Sequence, residues 1–531
     1  MEVALPRAGR AYLVLTAFLS GMCVMVLEMA AVRAAAPFFG QSNYIWTNVI
    51  GVILAALAVG YFVGGRWIDR LPRPGLLFGV LLAGGLLSML LPVLIRPVCR
   101  WLMPVDLAVE GAATVFTLAS LAGTIILFAP PILLLGMISP MAIRLLATPG
   151  AVGNASGRIF AASTIGSLIG TFGTTFFLLE AFGTRMTIGL AGAVLTTTAV
   201  VGLLIAVATR KGRAAAMAGV LVALVLGIGG ANAGPLKDNP GQVVERESAY
   251  QYVRVLAENG VRMLQFNEAE QSYQSVAIPG TVLTDGRYYD YYAVLPYLLS
   301  AERRSDLDVL VVGLAAGTIP RQLREFFPGS LRVTGVEIDP AVLELGREHF
   351  EMPKDADWLD AVVMDGRAYL NGAEPAKTFD LIVIDAFAQE YYIPFHLATR
   401  EAFEAARSRL APGGILAMNV AAYRSDSSLL VALESTLAHA FGEAWRVKVR
   451  GYANYMIFAV RDGKPRLDRL DHLPRNAGEE REKLRKIAGI VRVATSEAKP
   501  LANLCLTDDH APVERLMDRS VQRESRRFLG D

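Results

Sequence analysis

Between residues 11 and 233 the chain offers one long apolar stretch after another, and this limits what it can fold into more than any other feature. A helix that crosses a bilayer needs roughly 20 mainly apolar residues. Stretches of that kind lie near 11–36, 45–68, 75–95, 114–143, 158–182, 186–208 and 214–233, so the pattern predicts seven spans. The fourth is long and contains Pro130-Pro131. It is expected to kink or split there, because proline removes a backbone donor from the helix interior. The first is too long for a cleaved leader, and further spans follow it.

Charge divides the chain at the same place. Residues 1–234 hold 14 Lys+Arg, 6 Asp+Glu and no His, against 37 basic and 43 acidic residues in the remainder, so a total of +2 hides +8 and −6. This predicts a membrane domain over 1–234, a linker with a small β-domain over 235–300, and a larger soluble domain over 301–531. The near-neutral total gives no support for nucleic-acid binding. Cys23, Cys99 and Cys505 are odd in number and far apart, which implies neither a disulfide framework nor a zinc site.

Arg7 and Arg10 precede the first span, and Arg66, Arg70 and Arg73 follow the second. Arg144 and Arg158 flank the loop after the fourth, and Arg210, Lys211 and Arg213 follow the sixth. The opposite loops offer mainly Arg96, Arg100 and Arg185. Positive charge stays in the cytoplasm, so the N-terminus is expected there. Seven spans would then put the soluble domain outside, and a count different by one would reverse this. Glu28 and Arg33 lie within or at the end of the first span. They are either an intramembrane functional pair or an internal ion pair with Arg33 reaching the interface. The small residues of "GTFGTT" (170–175) predict close helix packing.

After the linker "ANAGPLKDNPG" (231–241), "YQYVRVLAENGVRMLQF" (250–266) reads as a hairpin turning at Asn259-Gly260. From 308 onward strands and helices alternate: "DVLVVG", "RVTGVEID", "AVVMDG", "DLIVID" and "GILAMNV", with a helix near 398–410 before "APGG". "WRVKV" and "NYMIFAV" form a final antiparallel pair. Such alternation predicts a doubly wound sheet. Strand one runs into "GLAAGT", whose Gly313 and Gly317 let the backbone approach a ligand. Strand two ends in Glu337, strand three in Asp365-Gly366 and strand four in Asp385. One strand-end acid often does no more than cap a helix. Several in register on the carboxyl rim, where open α/β sheets bind ligands, point to a nucleoside site.

These residues carry a resemblance. The stretch from about 245 to 460 resembles the spermidine synthase family of aminopropyltransferases, in the bacterial form fused behind a multi-span membrane region. The motifs are "ESAYQYVRV", "VEID", "MDG" and "LIVIDAF…IPFHLATREAF". The resemblance implies a Rossmann-like, methyltransferase-type sheet preceded by a small β-domain. It implies transfer of an aminopropyl group from decarboxylated S-adenosylmethionine to an amine such as putrescine, releasing methylthioadenosine, with no prosthetic group and no metal. It further implies a multi-pass protein of the bacterial inner membrane and admits a homodimer. Matched by position, Gln251 contacts the nucleoside, Glu337 holds the ribose hydroxyls, Asp365 and Gly366 meet the adenine, and Asp385 is the general base. Tyr289 and Asp290 fall in the family's Tyr-His-Glu stretch, with His replaced by Tyr. Glu390, Tyr391 and Tyr392 would hold the cationic acceptor, or pack as an ordinary gate loop.

Three positions depart from the family pattern. The acid expected in the glycine loop is Ala316, the second acid after the base is Ala388, and the histidine is Tyr289. Two alternatives therefore stand beside the aminopropyltransferase: a transferase using intact S-adenosylmethionine or another nucleophile, and a membrane transporter or sensor that binds a nucleoside without turnover. "LTDDHAPVERL" (506–516) is the last unusual stretch. Asp508, Asp509 and His510 are either ligands or a helix cap.

Overall fold

The computed structural model describes residues 7–40, 42–102, 112–206, 222, 225, 236–237, 240–267, 272–299, 306–329, 331–372, 377–387, 393–473 and 478–517. Contacts divide the chain into two compact units. The first holds the helices up to residue 238 and the turn 247–252, and the second holds 239–246 and the chain from Val253 onward.

The helical unit contains α1 (Arg7–Phe39), α2 (Asn43–Arg70), α3 (Pro74–Leu102), α4 (Ala112–Leu127), α5 (Ala129–Gly136), α6 (Ile138–Leu146), α7 (Val152–Gly173) and α8 (Leu179–Ala206). Five helical stretches among the described residues are long and apolar enough to cross a membrane, where the sequence predicted seven spans. The predicted fourth span is split, as expected near Pro130-Pro131, into α4, α5 and α6. The fifth and sixth make one apolar stretch, Val152–Ile205, with a π-helical turn at Thr174–Leu178, but Gly183 at φ 70° and ψ 174° breaks the helix between them, in the gap expected between 182 and 186. The predicted seventh, 214–233, lies outside the described residues. Close packing does rest on small residues: a Cβ on Gly166 or Gly170 of α7 would fall on the backbone carbonyl of Phe18 or Met22 in α1. Glu28 is buried, and Arg33 donates to the backbone carbonyls of Ser248, at 2.9 Å, and Ala249, a structural use of its charge.

The second unit opens with a four-stranded sheet of β1 (Gln242–Glu247), β2 (Tyr252–Glu258), β3 (Val261–Phe266) and β4 (Ser275–Ala277). Its β2–β3 hairpin turns at Asn259 and Gly260, both left-handed at φ 50° and 81°. This is the backbone that an Asn-Gly pair adopts in a type I′ turn.

The short helix α9 (Tyr288–Tyr292) leads into the main sheet. That sheet alternates β5 (Leu307–Val312), α10 (Thr318–Phe326), β6 (Leu331–Glu337), α11 (Pro340–His349), β7 (Leu359–Val363), α12 (Gly366–Gly372), β8 (Phe379–Ile384), α13 (Arg400–Arg409) and β9 (Leu410–Ala421). Then follow α14 (Ser428–Phe441), β10 (Ala444–Lys448), β11 (Asn454–Val460), α15 (Glu479–Ala494) and β12 (Ser496–Ala498). The strand order is β12-β10-β11-β9-β8-β5-β6-β7, and the five strands from β9 to β7 are parallel. Two details depart from expectation. β9 begins at Leu410, so that it includes "APGG" (411–414), and its pairing with β8 slips between Phe379 and Leu381, since Pro412 offers no N–H and Gly413 is left-handed at φ 78°. The "final" pair β10–β11 is extended by β12, which pairs with β10.

β5 and β8 are neighbours although two strands, β6 and β7, separate them in the chain, so the topological switch lies between their carboxyl ends. Gly313 and Asp385 are the first residues beyond them. Gly313 has φ 88°, and a Cβ there would lie 2.5 Å from the carbonyl oxygen of Asp385 and 2.8 Å from the Cα of Ala386. The close approach that glycine permits here is to the neighbouring strand end. Gly313→Ala should therefore combine a left-handed strain with a backbone collision. The expected cost is roughly 2–3 kcal/mol, visible as a lowered thermal midpoint of the purified chain. An unchanged midpoint would mean that the two strand ends do not pass this closely.

Candidate active site

The carboxyl rim of the sheet brings Gly313, Glu337, Asp365, Gly366 and Asp385 to one edge, because each follows or ends one of four adjacent parallel strands. Their side chains are used differently. Glu337 is buried and holds the glycine loop from below: Oε2 accepts from the N–H of Ala315 at 3.0 Å and Oε1 from that of Asp339 at 3.2 Å. Burial pushes its carboxyl up to about 7 against those hydrogen bonds. Gly317 is the left-handed N-cap of α10, facing Met352. Asp365 does cap a helix: its Oδ1 accepts from the N–H of Ala368, and its Oδ2 lies 3.3 Å from Nε2 of His396. Gly366 packs against Val312, where a side chain would not fit.

Asp385 caps nothing. Its Oδ1 is inaccessible to solvent and has no hydrogen-bond partner among the described residues. Burial at the end of an apolar strand pushes the carboxyl up to about 7, and hydrogen bonds from Tyr288 and Asn419 only partly offset this. A raised acid is not by itself a sign of a site. Glu434 reaches the same range, but both its oxygens are taken by Arg446 at 3.0 and 3.1 Å. Asp385 combines the shift with an unclaimed oxygen.

The groups around it come from α9 and β9. The negative charge of Asp385 raises the hydroxyls of Tyr288, Tyr289 and Tyr292, after burial itself. Tyr288 lies against Tyr289 with ring centroids 4.0 Å apart and planes tilted by 36°, and it meets Tyr292 edge-on at 6.2 Å. The Tyr292 hydroxyl is buried without a hydrogen-bond partner among the described residues, and that of Tyr289 donates to the Tyr273 carbonyl. Asn419, 2% exposed, accepts from Nδ2 of Asn454 at 3.0 Å. Sequence reasoning passed over Tyr292 and Asn419. The signals were there: Tyr288 and Tyr292 are four apart on one helix face, and Asn419 is the lone polar residue of "GILAMNV".

Asp290 is a correction. It is fully buried, and its carboxylate is taken up by the N–H and hydroxyl of Thr284, the N–H of Gly286 and Nε2 of Gln322. It ties a turn to α10 and offers no free oxygen to an amine. Ala316 is buried in an apolar cluster with Val253, Val255 and Val342, and its N–H donates to Oγ of Ser275. Gln251 is buried at the turn 248–251, where its backbone is held by Ser248 and which clusters with the helical unit. Glu390, Tyr391, Tyr392 and Ala388 lie outside the described residues. Asp508 serves structure: it accepts from Arg367 and Thr399.

Residues 293–469 match the spermine/spermidine synthase domain. A polyamine aminopropyltransferase of Vibrio vulnificus is 30% identical over 209 residues, covering 39% of this chain and 67% of that protein. The chain belongs to the spermine/spermidine synthase family. A probable polyamine aminopropyl transferase of Bifidobacterium longum is 31% identical over 286 residues, covering 51% of this chain and 61% of that protein. The chain thus spans under two thirds of this relative's length. Polyamine aminopropyltransferase 2 of Streptomyces coelicolor is 26% identical over 449 residues, 81% of this chain and 77% of that protein, a match that reaches well into the helical half. Among solved structures, a probable spermidine synthase from Corynebacterium glutamicum is 22% identical, with a TM-score of 0.36, covering 49% of this chain and 98% of that one.

The raised carboxyls have a consequence for stability. Asp385 and Glu337 both move from the ordinary carboxylate range to about 7 in the folded state. The folded chain therefore holds these protons more tightly than the unfolded chain does. Their contribution is fully present below about pH 4 and is lost as pH rises through about 7. The melting midpoint of the ligand-free protein should fall between pH 5 and 8, and Asp385→Asn should flatten that fall by roughly a third, since one of three such groups, Glu434 being the third, is removed. Parallel slopes for the two proteins would show that Asp385 titrates normally.

Proposed function

We propose that this chain is a membrane-anchored aminopropyltransferase that moves the aminopropyl group of decarboxylated S-adenosylmethionine to a small amine. Asp385 acts as general base. The observation that carries this reading is the buried, unclaimed Oδ1 of Asp385 at the switch point, ringed by Tyr288, Tyr289 and Tyr292.

The chemistry follows from what these groups can do. The nucleoside donor lies along the rim, its ribose hydroxyls donating to Glu337 and its base beside Asp365 and Gly366. The acceptor enters as an ammonium, which the tyrosine faces and the Asp385 carboxylate hold. Asp385 takes one of its protons and frees the nitrogen lone pair. That pair attacks the aminopropyl carbon next to the sulfonium. A C–N bond forms, the C–S bond breaks, and sulfur keeps the bonding pair as the thioether of methylthioadenosine. The electrophile needs no further activation, so alignment of nitrogen, carbon and sulfur supplies much of the rate. A base with a pKa near 7 suits proton transfer near neutral pH.

The membrane part of the reading is supported by the five long apolar helices and by Phe160, Leu168, Phe172 and Phe176, which stand exposed along α7 and its continuation. An exposed face so apolar suits hydrocarbon better than water. The protein should stay with membranes through carbonate washing and leave them only with detergent; release by carbonate alone would remove the anchor.

Asp385→Asn tests the transfer. Asn keeps the shape and the hydrogen bonds but cannot take a proton. With decarboxylated S-adenosylmethionine and putrescine, the variant should lose turnover by a factor on the order of 10²–10⁴ while binding methylthioadenosine as the wild type does. Wild-type kcat/KM should rise with pH to a plateau above about 7, where the base is ionised. A parallel arm with intact S-adenosylmethionine separates the two donors. Undiminished turnover in the Asn variant would be decisive against Asp385 as the base.

A further inference from the structure

The motif "LTDDHAP" takes no part in the transfer derived above, yet one of its acids is tightly engaged. Leu506 is fixed on both sides: its N–H donates to Oγ1 of Thr436 at 2.9 Å and its carbonyl accepts from the N–H of Arg400 at 2.8 Å. Thr507 and His510 then pair through their backbones, closing a tight turn that presents Asp508. The two oxygens of Asp508 go to different elements. Oδ1 accepts from the hydroxyl of Thr399 at 2.6 Å, and Oδ2 accepts from Nη2 of Arg367 at 2.8 Å. Its own N–H donates to Oε2 of Glu401 at 3.0 Å.

Arg367 is the second residue of α12, immediately after Asp365 and Gly366. Its other terminal nitrogen donates to the carbonyl of His396 at 3.1 Å and to Oγ1 of Thr399 at 3.2 Å. His396 in turn faces Asp365 at 3.3 Å. One guanidinium and one carboxylate therefore join three separate parts of the chain: the first turn of α12, the turn 394–399 and the segment 506–510. Two of these parts flank the place where the proposed function puts the donor's base. A planar guanidinium suits this work, since it can donate in three directions from a fixed plane.

We propose that Asp508 is a positioning residue for the nucleoside donor: through Arg367 and Thr399 it locks the first turn of α12 against the turn 394–399, and so sets the shape of the base-binding edge. It touches neither donor nor acceptor. This inference rests on the nucleoside reading of the rim and adds to it a part of the chain that no rim residue reveals. Its effect should fall on donor affinity, while the proton transfer at Asp385 on a different strand proceeds as before.

The test uses the full-length chain in detergent micelles, titrated with methylthioadenosine by calorimetry and assayed for turnover with decarboxylated S-adenosylmethionine. Asp508→Ala should weaken methylthioadenosine binding about tenfold, the scale of one lost charge-assisted hydrogen bond. It should raise the donor KM alike and leave kcat within about threefold. Asp508→Asn keeps the acceptor for Thr399 and loses the charge facing Arg367, so it should fall between Ala and wild type; it also guards against a simple folding failure. Arg367→Ala combined with Asp508→Ala should bind no more weakly than Arg367→Ala alone, because the two act as one unit. If the wild type binds methylthioadenosine and Asp508→Ala binds it equally well, or if the two substitutions add, the inference is overturned by itself. A wild type that binds no methylthioadenosine overturns the nucleoside reading and this inference with it.

Discussion

The site depends on one contact, the backbone of Gly313 lying against the backbone of Asp385 and Ala386. Strands β5 and β8 pair in parallel register up to Val312 and Ile384. Beyond that point the chains must part, one into a glycine loop and the other into 385–387. The missing side chain at 313 lets them separate late, so Asp385 leaves its strand with its backbone against that of Gly313. Burial there raises its pKa, and the tyrosines of α9 close the same space from the small β-region's side of the second unit. Move the parting point by one residue and the side chain at 385 would face the other side of the sheet.

Rim acids look equivalent in a sequence but differ in what satisfies them. Asp339 and Asp365 each accept a helix N–H two or three residues on, at 3.0 and 2.9 Å, and this is the ordinary work of an acid at a strand end. Glu337 accepts from the glycine loop and keeps it in place. Only where no helix follows at once does a carboxylate stay uncommitted. The segment after Asp385 is irregular through Phe387, and among the described residues no backbone N–H takes its free oxygen.

Much of this was legible beforehand. The strand–helix alternation from 308 to 420 is read directly from apolar runs that stop at turn residues, and the Asn-Gly hairpin from its turn chemistry. The long helices were legible as apolar length, and so were two of the boundaries between them. The split beside Pro130-Pro131 follows from proline, and the break at Gly183 falls in the gap between the stretches 158–182 and 186–208. Asp290 misled because sequence position suggested a substrate contact. Its burial against Thr284, Gly286 and Gln322, residues 4 to 32 positions away, is a tertiary fact. Tyr292 and Asn419 were hidden for the same reason: they converge on Asp385 from a helix before the sheet and from the next strand, one crossover later. Long-range pairs of this kind leave no periodicity in the chain.

The same burial that makes Asp385 useful as a base also makes the empty site unfavourable once the acid ionises. A carboxylate taken out of water with an oxygen unmatched costs free energy until something pairs with it. An ammonium is the natural partner: it supplies several donors and a charge, and its presence favours the ionised acid. Acceptor binding and proton release are then linked, because the cation lowers the pKa that burial had raised. The tyrosine hydroxyls do not replace its charge: burial keeps all three neutral, that of Tyr289 is committed to a carbonyl, and the hydrogen bond from Tyr288 offsets the burial of Asp385 only in part. On the proposed function, the described residues would meet the acceptor with one carboxylate and a set of aromatic faces, an arrangement that rewards a cation of the right size more than it rewards several charges at fixed spacing.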